Sequence, residues 1–335
     1  MTAAAAKLPG LSEGRVTSVD VARRCGVSQS TVSLVFSGKA AGRISASTEA
    51  AVRACAAELG YRPNAAARAL KTGAARTVAL VVPDITNPFF GRLLRGAQSA
   101  ARAAGYAVAL IDTDNDREWG AASAAALQAG PADGLLLFEV EPPPRGAGSE
   151  PIVVIESESR GHPSVRLDAE AGTEAAIGHL LELGHRRIGH VSSVFDHPTF
   201  RARRRVVDRL VEGDVPRVRT AFDLGAAREA ALELLRAHPG LTAVFCDDDV
   251  VAAGAYLAAR ELRLAIPGDL SVVGFDDLDI SRVLDPPLTT VAADAEALGR
   301  VAFELLTAQL AGKRPRGRVM AVKLAVRGST GPPRR

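Results

Sequence analysis

Thr17-Ser-Val-Asp-Val-Ala-Arg-Arg-Cys-Gly-Val-Ser-Gln-Ser-Thr-Val-Ser-Leu-Val-Phe36 is the stretch that decides how this 335-residue chain is read. Thr17 can cap a helix, and Asp20, three residues on, can return the bond to the cap. Val21, Ala22 and Cys25 then share one apolar stripe at helical spacing. Gly26 suits a turn, and Ser28 opens a second helix with Val32, Val35 and Phe36 facing inward. A turn this short makes the two helices cross steeply. Gln29, Ser30 and Ser33 point outward near the start of the second helix. Side chains there can enter a major groove while the first helix crosses the DNA backbone, with Thr17, Ser28 and Thr31 in support. Ser45 can cap a third helix whose core face is Val52, Cys55, Ala56 and Leu59, ending at Gly60.

Three small helices alone would also suit a plain helical subdomain. Charge favours the DNA reading. Residues 1–75 hold ten Lys+Arg against four Asp+Glu, a net of +6, and the remainder carries a net of −3. A basic head of this kind is attracted to phosphate. Pro63 ends the third helical element and Asn64 can cap another, over Ala65 to Leu70. Helices under roughly 12 residues are marginal in water, so this segment is expected to be disordered alone and to fold when braced. Leu70, its one large apolar side chain, suits insertion into a minor groove, with Asn64, Ala67 and Arg68 beside it. The alternative is an Ala-rich linker.

Here the chain strongly resembles the lactose-repressor (LacI/GalR) family of bacterial transcription regulators. The carrying residues are Asp20-Val-Ala22, Gly26-Val-Ser28, Thr31-Val-Ser33, Leu59-Gly-Tyr-Arg-Pro-Asn64, Ala67-Arg-Ala-Leu70 and Val82-Pro-Asp-Ile-Thr-Asn-Pro-Phe-Phe90. Leu183-Gly-His-Arg-Arg-Ile188, Gly274-Phe-Asp-Asp277, Pro287-Leu-Thr-Thr-Val291 and Val326-Arg-Gly-Ser-Thr330 continue the match. They fall in family order across residues 16 to 330 and are specific together, not singly.

A head of about 60 residues leaves enough chain for two further lobes with their own cores. Cys25, Cys55 and Cys246 are scattered and odd in number. They read as small core residues, with neither a disulfide framework nor a zinc cluster. Ala3–Ala6 is too short for a signal peptide, and no run approaches ~18 apolar residues. The expected compartment is the cytoplasm, with no membrane partner and residues 1–15 as a disordered tail.

Beyond residue 76, apolar strand-length runs alternate with helical spacing. Strands are expected at 77–82, 107–112, 135–138, 152–155, 187–191, 243–246 and 271–275. Helices are expected at 89–104, 119–129, 171–183, 200–212, 226–237 and 250–262. Such alternation predicts parallel sheets covered on both faces. The fold class is therefore an all-α helix-turn-helix head plus a two-lobed α/β domain. The resemblance implies a periplasmic-binding-protein-like body with three crossovers, placed near 168, 290 and 320. The expected domains are a head at 16–62, a hinge helix and linker at 63–75, and a ligand-binding and dimerisation domain at 76–330. Lobe one takes about 76–168 and 291–319, and lobe two about 169–290 and 320–330.

Ligands in open α/β sheets bind beyond the carboxyl ends of the strands. Asp84, Asn87, Phe89 and Phe90 follow strand 77–82, Glu156 follows 152–155, Asp247–Asp249 follow 243–246, and Asp276 and Asp277 follow 271–275. The resemblance implies that Phe89 or Phe90, Glu156, Phe222, Asp248 and Asp276 line an effector site. It also implies one arginine near the start of helix 200–212. Arg201 competes with Arg203, Arg204 and Arg205 for that role and is favoured. Carboxylates and an arginine around aromatics suit a polyhydroxylated, sugar-like ligand. Asp84 and Asp277 fit helix or turn caps equally well, Asp249 reads as the cap of the helix beside it, and either phenylalanine could be core.

The six histidines show no metal spacing. No phosphate loop follows a strand, and no positioned nucleophile–base pair stands out, so no cofactor, metal or catalytic activity is expected. Three departures from the family matter. Leu34 stands where a polar residue or arginine is usual in the recognition helix; it can contact a thymine methyl, and it puts a carry-over of guanine reading in doubt. Asp248 replaces the usual asparagine and adds negative charge. No leucine heptads follow Thr330, which argues for a dimer. The expectation is thus a dimeric, effector-controlled repressor on near-palindromic double-stranded operator DNA. Its rivals are a solute-binding protein of the same two-lobe fold and a cytosolic enzyme.

Overall fold

The computed structural model describes residues 16–37, 40–61, 75–128, 132–139, 151–157, 159 and 161–334. The chain divides into two units, residues 1–75 and 76–335. The first contains α1 (Ser18–Cys25), α2 (Gln29–Phe36) and α3 (Ala46–Glu58). The reciprocal cap forms: the Thr17 N–H donates to Asp20 Oδ2 over 2.9 Å and the Asp20 N–H to Thr17 Oγ1 over 3.4 Å. Gly26 takes φ +66°, the left-handed geometry that closes a helix cheaply only without a Cβ. Ser28 and Ser45 each accept a backbone N–H three residues on at 3.1 Å. Val21, Ala22, Val32, Val35, Val52 and Ala56 are buried together, and Phe36 meets Tyr61 edge-on.

The cysteine expectation needs correction. Cys25 and Cys55 are joined as a disulfide, their Cα atoms 6.2 Å apart. A sequence separation of 30 hides a proximity that exists only once α1 crosses α3. Among the described residues Cys246 is the free thiol, and it is buried. The expected tail at 1–15 and the hinge residues Asn64, Ala67, Arg68 and Leu70 lie outside the described residues.

In the second unit the helices are α4 (Pro88–Ala103), α5 (Arg117–Gln128), α6 (Ala169–Glu182), α7 (Pro198–Leu210), α8 (Leu224–Ala237), α9 (Asp249–Glu261), α10 (Ile280–Val283) and α11 (Ala295–Leu310). The first sheet holds β1 (Thr77–Val82), β2 (Ala107–Asp112), β3 (Gly134–Phe138), β4 (Ile152–Ile155), β5 (Ser164–Leu167) and β11 (Arg318–Met320), in the order β11-β5-β4-β3-β1-β2. The second holds β6 (Ile188–Ser193), β7 (Arg217–Thr220), β8 (Ala243–Cys246), β9 (Ser271–Phe275), β10 (Thr289–Ala292) and β12 (Lys323–Ala325), in the order β12-β10-β9-β8-β6-β7. All pairings are parallel except β10 with β12.

Helices cover both faces of each sheet, so the central strands are buried throughout and read as apolar runs. Ala124 of α5 packs with Val81 and Leu137 on one face of the first sheet. Phe90 and Leu93 of α4 and Leu306 of α11 join Leu80 and Leu136 in the core on its other face. Ala231 and Ala255 do the same for the second sheet from α8 and α9. The chain leaves the first sheet after β5, returns between β10 and α11, and passes to the second again between β11 and β12. Five strands escaped the sequence reading: β5, β7, β10, β11 and β12. Each has at most four residues, and all five lie at or next to a sheet edge.

Candidate functional site

The carboxyl ends of the two sheets face each other across a cavity of about 580 Å³. The loop after β1 is shaped by Asn87, whose Oδ1 accepts the Phe89 N–H at 2.9 Å, and by Pro88 at the first helical position. This turn aims Phe89 and Phe90 into the cavity, where they meet Phe138 edge-on at 6.0 and 4.9 Å. Opposite, Phe200 of α7 stands 5.4 Å from Phe222, and Phe195 6.0 Å from Phe222.

The polar groups sit at strand ends in unusual backbone geometry. Glu156 has φ +59° and Asp276 φ +104°, a region that non-glycine residues seldom occupy and that clusters at functional sites. Glu156 is buried, accepts the Leu167 N–H at 2.6 Å, and is pushed up to about 7 by burial. Asp248 caps α9 through the Val250 N–H at 2.5 Å and accepts Asn87 Nδ2 at 2.8 Å. Asp248 and Asp276 line the same part of the cavity. Burial raises both carboxyls, and mutual repulsion raises Asp276 further.

The arginine of the cleft is Arg203, not the favoured Arg201. Arg203 is 4 % exposed. Its Nη1 donates to the Asp247 carbonyl, and its guanidinium lies 3.5 Å from the Phe275 ring centre. Arg201 turns outward to Asp196, as does Arg204, while Arg205 pairs with Glu170. The buried face of α7 is Thr199, Phe200, Arg203, Val206 and Val207, one helical stripe from which Arg201 is excluded. Asp247 holds the floor: its carboxylate accepts His190 Nε2 at 2.9 Å and the Ser193 N–H at 2.8 Å. Arg217 Nε donates to His190 Nδ1, which leaves Nε2 as the donor to Asp247.

Asp249 is a second correction, because the cap belongs to Asp248. Asp249 instead accepts Thr290 Oγ1 at 2.6 Å and the Leu278 N–H at 2.7 Å, tying α9 to β10. Asp277 stands outside the cavity, paired with Arg282 and Arg327, whereas Asp84 both lines it and accepts the Thr86 N–H. Asn87, Phe89, Phe90, Glu156, Phe222, Asp248 and Asp276 all line the cavity. The sequence reading missed Phe138, Glu139, Phe195, His197 and Phe200. The first four lie at or just beyond the ends of β3 and β6, where the strand-end rule already pointed, and Phe200 shares the α7 stripe with Arg203.

Among the described residues, polar contacts cross the cleft at three places. Besides Asn87 with Asp248, His197 Nδ1 lies 3.2 Å from Glu139 Oε2. Arg92 reaches Asp279 at 2.5 Å and the Asp277 carbonyl at 2.8 Å.

In the first unit Gln29 and Ser30 are exposed on α2, and Ser33 and Leu34 are half-buried. Gln29 Nε2 donates to Ser18 Oγ at 3.0 Å, and Ser28 shares hydroxyl contacts with Ser30 and Thr31 at 2.7 and 2.9 Å. These polar groups form a row at the start of the helix, accessible to a groove.

Residues 18–64 match the family model described as bacterial regulatory proteins, lacI family, and residues 177–330 match a periplasmic binding protein-like domain. The chain is 32% identical over 340 residues to the HTH-type transcriptional repressor CytR of Escherichia coli (strain K12), covering 95% of this chain and 97% of that one. The structure resembles the Lac repressor dimer bound to operator and the anti-inducer ONPF, with TM-score 0.81, 25% identity and coverage of 95% and 100%. It also resembles a transcriptional regulator CelR–cellobiose complex, with TM-score 0.68, 28% identity and coverage of 94% and 100%.

Proposed function

The chain belongs to the lacI family of bacterial regulatory proteins, and from that premise we propose that it is a sequence-specific transcriptional repressor whose hold on DNA is set by a small effector in the cleft. One observation carries this reading. A capped helix-turn-helix and a buried, aromatic-lined cleft between two lobes occur on one polypeptide. Gln29, Ser30, Ser33 and Leu34 read base edges, and Thr17, Ser28 and Thr31 support the backbone contacts. Asn64, Ala67, Arg68 and Leu70, in the connecting segment 63–75, bind the minor groove, with Leu70 as the wedge. The effector is held by Asn87, Phe89, Phe90, Glu156, Arg203, Phe222, Asp248 and Asp276. A sugar fits this lining, and the CelR structure contains cellobiose.

The working unit is a homodimer on a near-palindromic operator in the bacterial cytoplasm. The Lac repressor structure is itself a dimer on operator. Effector binding changes the lobe angle and hence the spacing of the two DNA-binding heads, so the two binding events are thermodynamically coupled. No catalytic step is assigned.

The test is selection of operators from randomised duplex DNA by the full chain. Retention is then measured with ligands found by thermal shift among sugars, polyols and nucleobases. Wild type should return an inverted repeat, and Gln29→Ala should relax one position of each half-site by about 1–3 kcal/mol. A random selection product, or retention indifferent to every stabilising ligand, would overturn the proposal.

A further inference from the structure

The lining of the cleft is electrically unbalanced. Among the described residues, Asp84, Glu139, Glu156, Asp248 and Asp276 bring five carboxyl groups to the lining, against Arg203 and His197. His197 is engaged by Glu139. Arg203 therefore serves Glu156, Asp248 and Asp276 together, while its Nη1 is held by the Asp247 carbonyl. Arg166 adds positive charge toward Glu156. Behind the pair, Asp249 is bonded to Thr290 and Leu278, and Asp247 to His190 and Ser193. Neither supplies positive charge to the cavity. Asp248 and Asp276 line the same enclosed wall, where burial raises both carboxyls and repulsion from Asp248 raises Asp276 further, so the pair keeps a proton.

Six of the chain's ten phenylalanines surround these acids: Phe89, Phe90, Phe138, Phe195, Phe200 and Phe222. Acids inside a wall of aromatic faces form a receptor for a cation, since a ring face attracts positive charge most strongly when both are desolvated. We propose that the cleft takes an amino sugar, with its ammonium group seated at Asp248–Asp276 against the phenylalanine rings. This rests on the effector reading above and narrows it.

An ammonium has three donors and no acceptor, which suits a site rich in carboxylate lone pairs. A neutral polyol must also find donors. Asn87 gives one amide hydrogen to Asp248 and its carbonyl to the Phe89 N–H, so among the described residues a polyol would draw on Arg203 Nε and Thr199 Oγ1, two buried donors beside five carboxyl groups. When the ammonium arrives, the proton shared by Asp248 and Asp276 leaves to solvent, and both carboxylates become acceptors. The aspartate at 248, where the resemblance leads one to expect asparagine, adds a carboxyl group beside Asp276.

The experiment is calorimetric titration of the full chain at pH 7 with glucosamine, galactosamine and mannosamine and their neutral twins, glucose, galactose and mannose. Each is run in phosphate and in Tris to count protons. At least one amino sugar should bind tenfold or more tightly than its twin and release close to one proton. Asp248→Asn should abolish both the preference and the proton release. Neutral twins binding equally or better, an amine preference that survives Asp248→Asn, or no binding by any amino sugar would each overturn the proposal. A neutral sugar that binds and changes operator retention would do so while leaving the effector reading intact.

Discussion

Glu156 is the residue whose charge state most directly links the cleft to stability. Burial holds its carboxyl at about 7 in the folded chain, against an ordinary value of 4.5. Between those values the native state keeps a proton that the unfolded chain has lost. The resulting stabilisation is complete below pH 4.5 and disappears as pH rises through about 7. Glu156→Gln keeps an acceptor for the Leu167 N–H and removes the titration. It should match wild type at pH 4 and exceed it above pH 7 by on the order of 3 kcal/mol. Urea unfolding across that range measures this, and parallel curves would refute it. Arg203 makes a sharper functional prediction. Arg203→Ala should remove the effector's influence on operator retention while Arg201→Ala leaves it intact, because only Arg203 is enclosed. The strand-end rule made the carboxylates of the cleft readable in sequence, since each follows an apolar run directly. The choice among four arginines was not readable from proximity to the helix start. It became so only by fixing the buried stripe through Phe200 and Val207. Likewise Asp248 and Asp249 differ by one residue, and the exact helix start decides which caps and which is buried against β10.

At the crossing of α4 and α11, two glycines face opposite backbones. A methyl group on Gly96 would overlap the Glu296 carbonyl oxygen, and one on Gly299 the Leu93 carbonyl oxygen. Neither obstacle is a flexible side chain, so Gly299→Ala must push the helices apart. Overpacking of this kind costs about 3 kcal/mol or more. Gly91, on the same α4, meets nothing within 4 Å, and Gly91→Ala should be neutral or stabilise by about 0.5–1 kcal/mol. Thermal unfolding of the two variants side by side tests the seam, and equal effects would deny it. Elements with strong periodic signals were legible: β8 and β9 fall at 243–246 and 271–275 as read, and the helix starts shift by only one or two residues. The missed strands lacked the signal itself. In β5, Ser164 and Arg166 interrupt the apolar residues, and β11 is largely exposed. Such strands exist because a neighbouring strand offers its hydrogen-bonding edge, which is information held by the assembled sheet.

At the scale of the molecule, the two sheets of the second unit are held across the cleft by few bonds. Arg92 to Asp279 is the most exposed of these. Arg92→Ala should therefore shift the ligand-free chain toward a more open lobe pair, seen as a larger radius of gyration by X-ray scattering, and saturating effector should restore the compact value. No change without ligand would mean that Asn87–Asp248 and Glu139–His197 suffice. The path of the chain also has a consequence for how the protein is made. The first sheet is finished by β11 at 318–320. The second is finished by β12 and by Ser329, whose hydroxyl bonds Val272 and Thr289. The core of the head, in contrast, closes within residues 16–61. On the ribosome the head can therefore fold early, whereas neither lobe can seal its core until the final residues emerge. A message broken anywhere between these points would not be silent. It would yield a folded, basic, DNA-seeking fragment with no body to receive an effector or to pair with a second copy, competing for operators that it can neither hold tightly nor release on command.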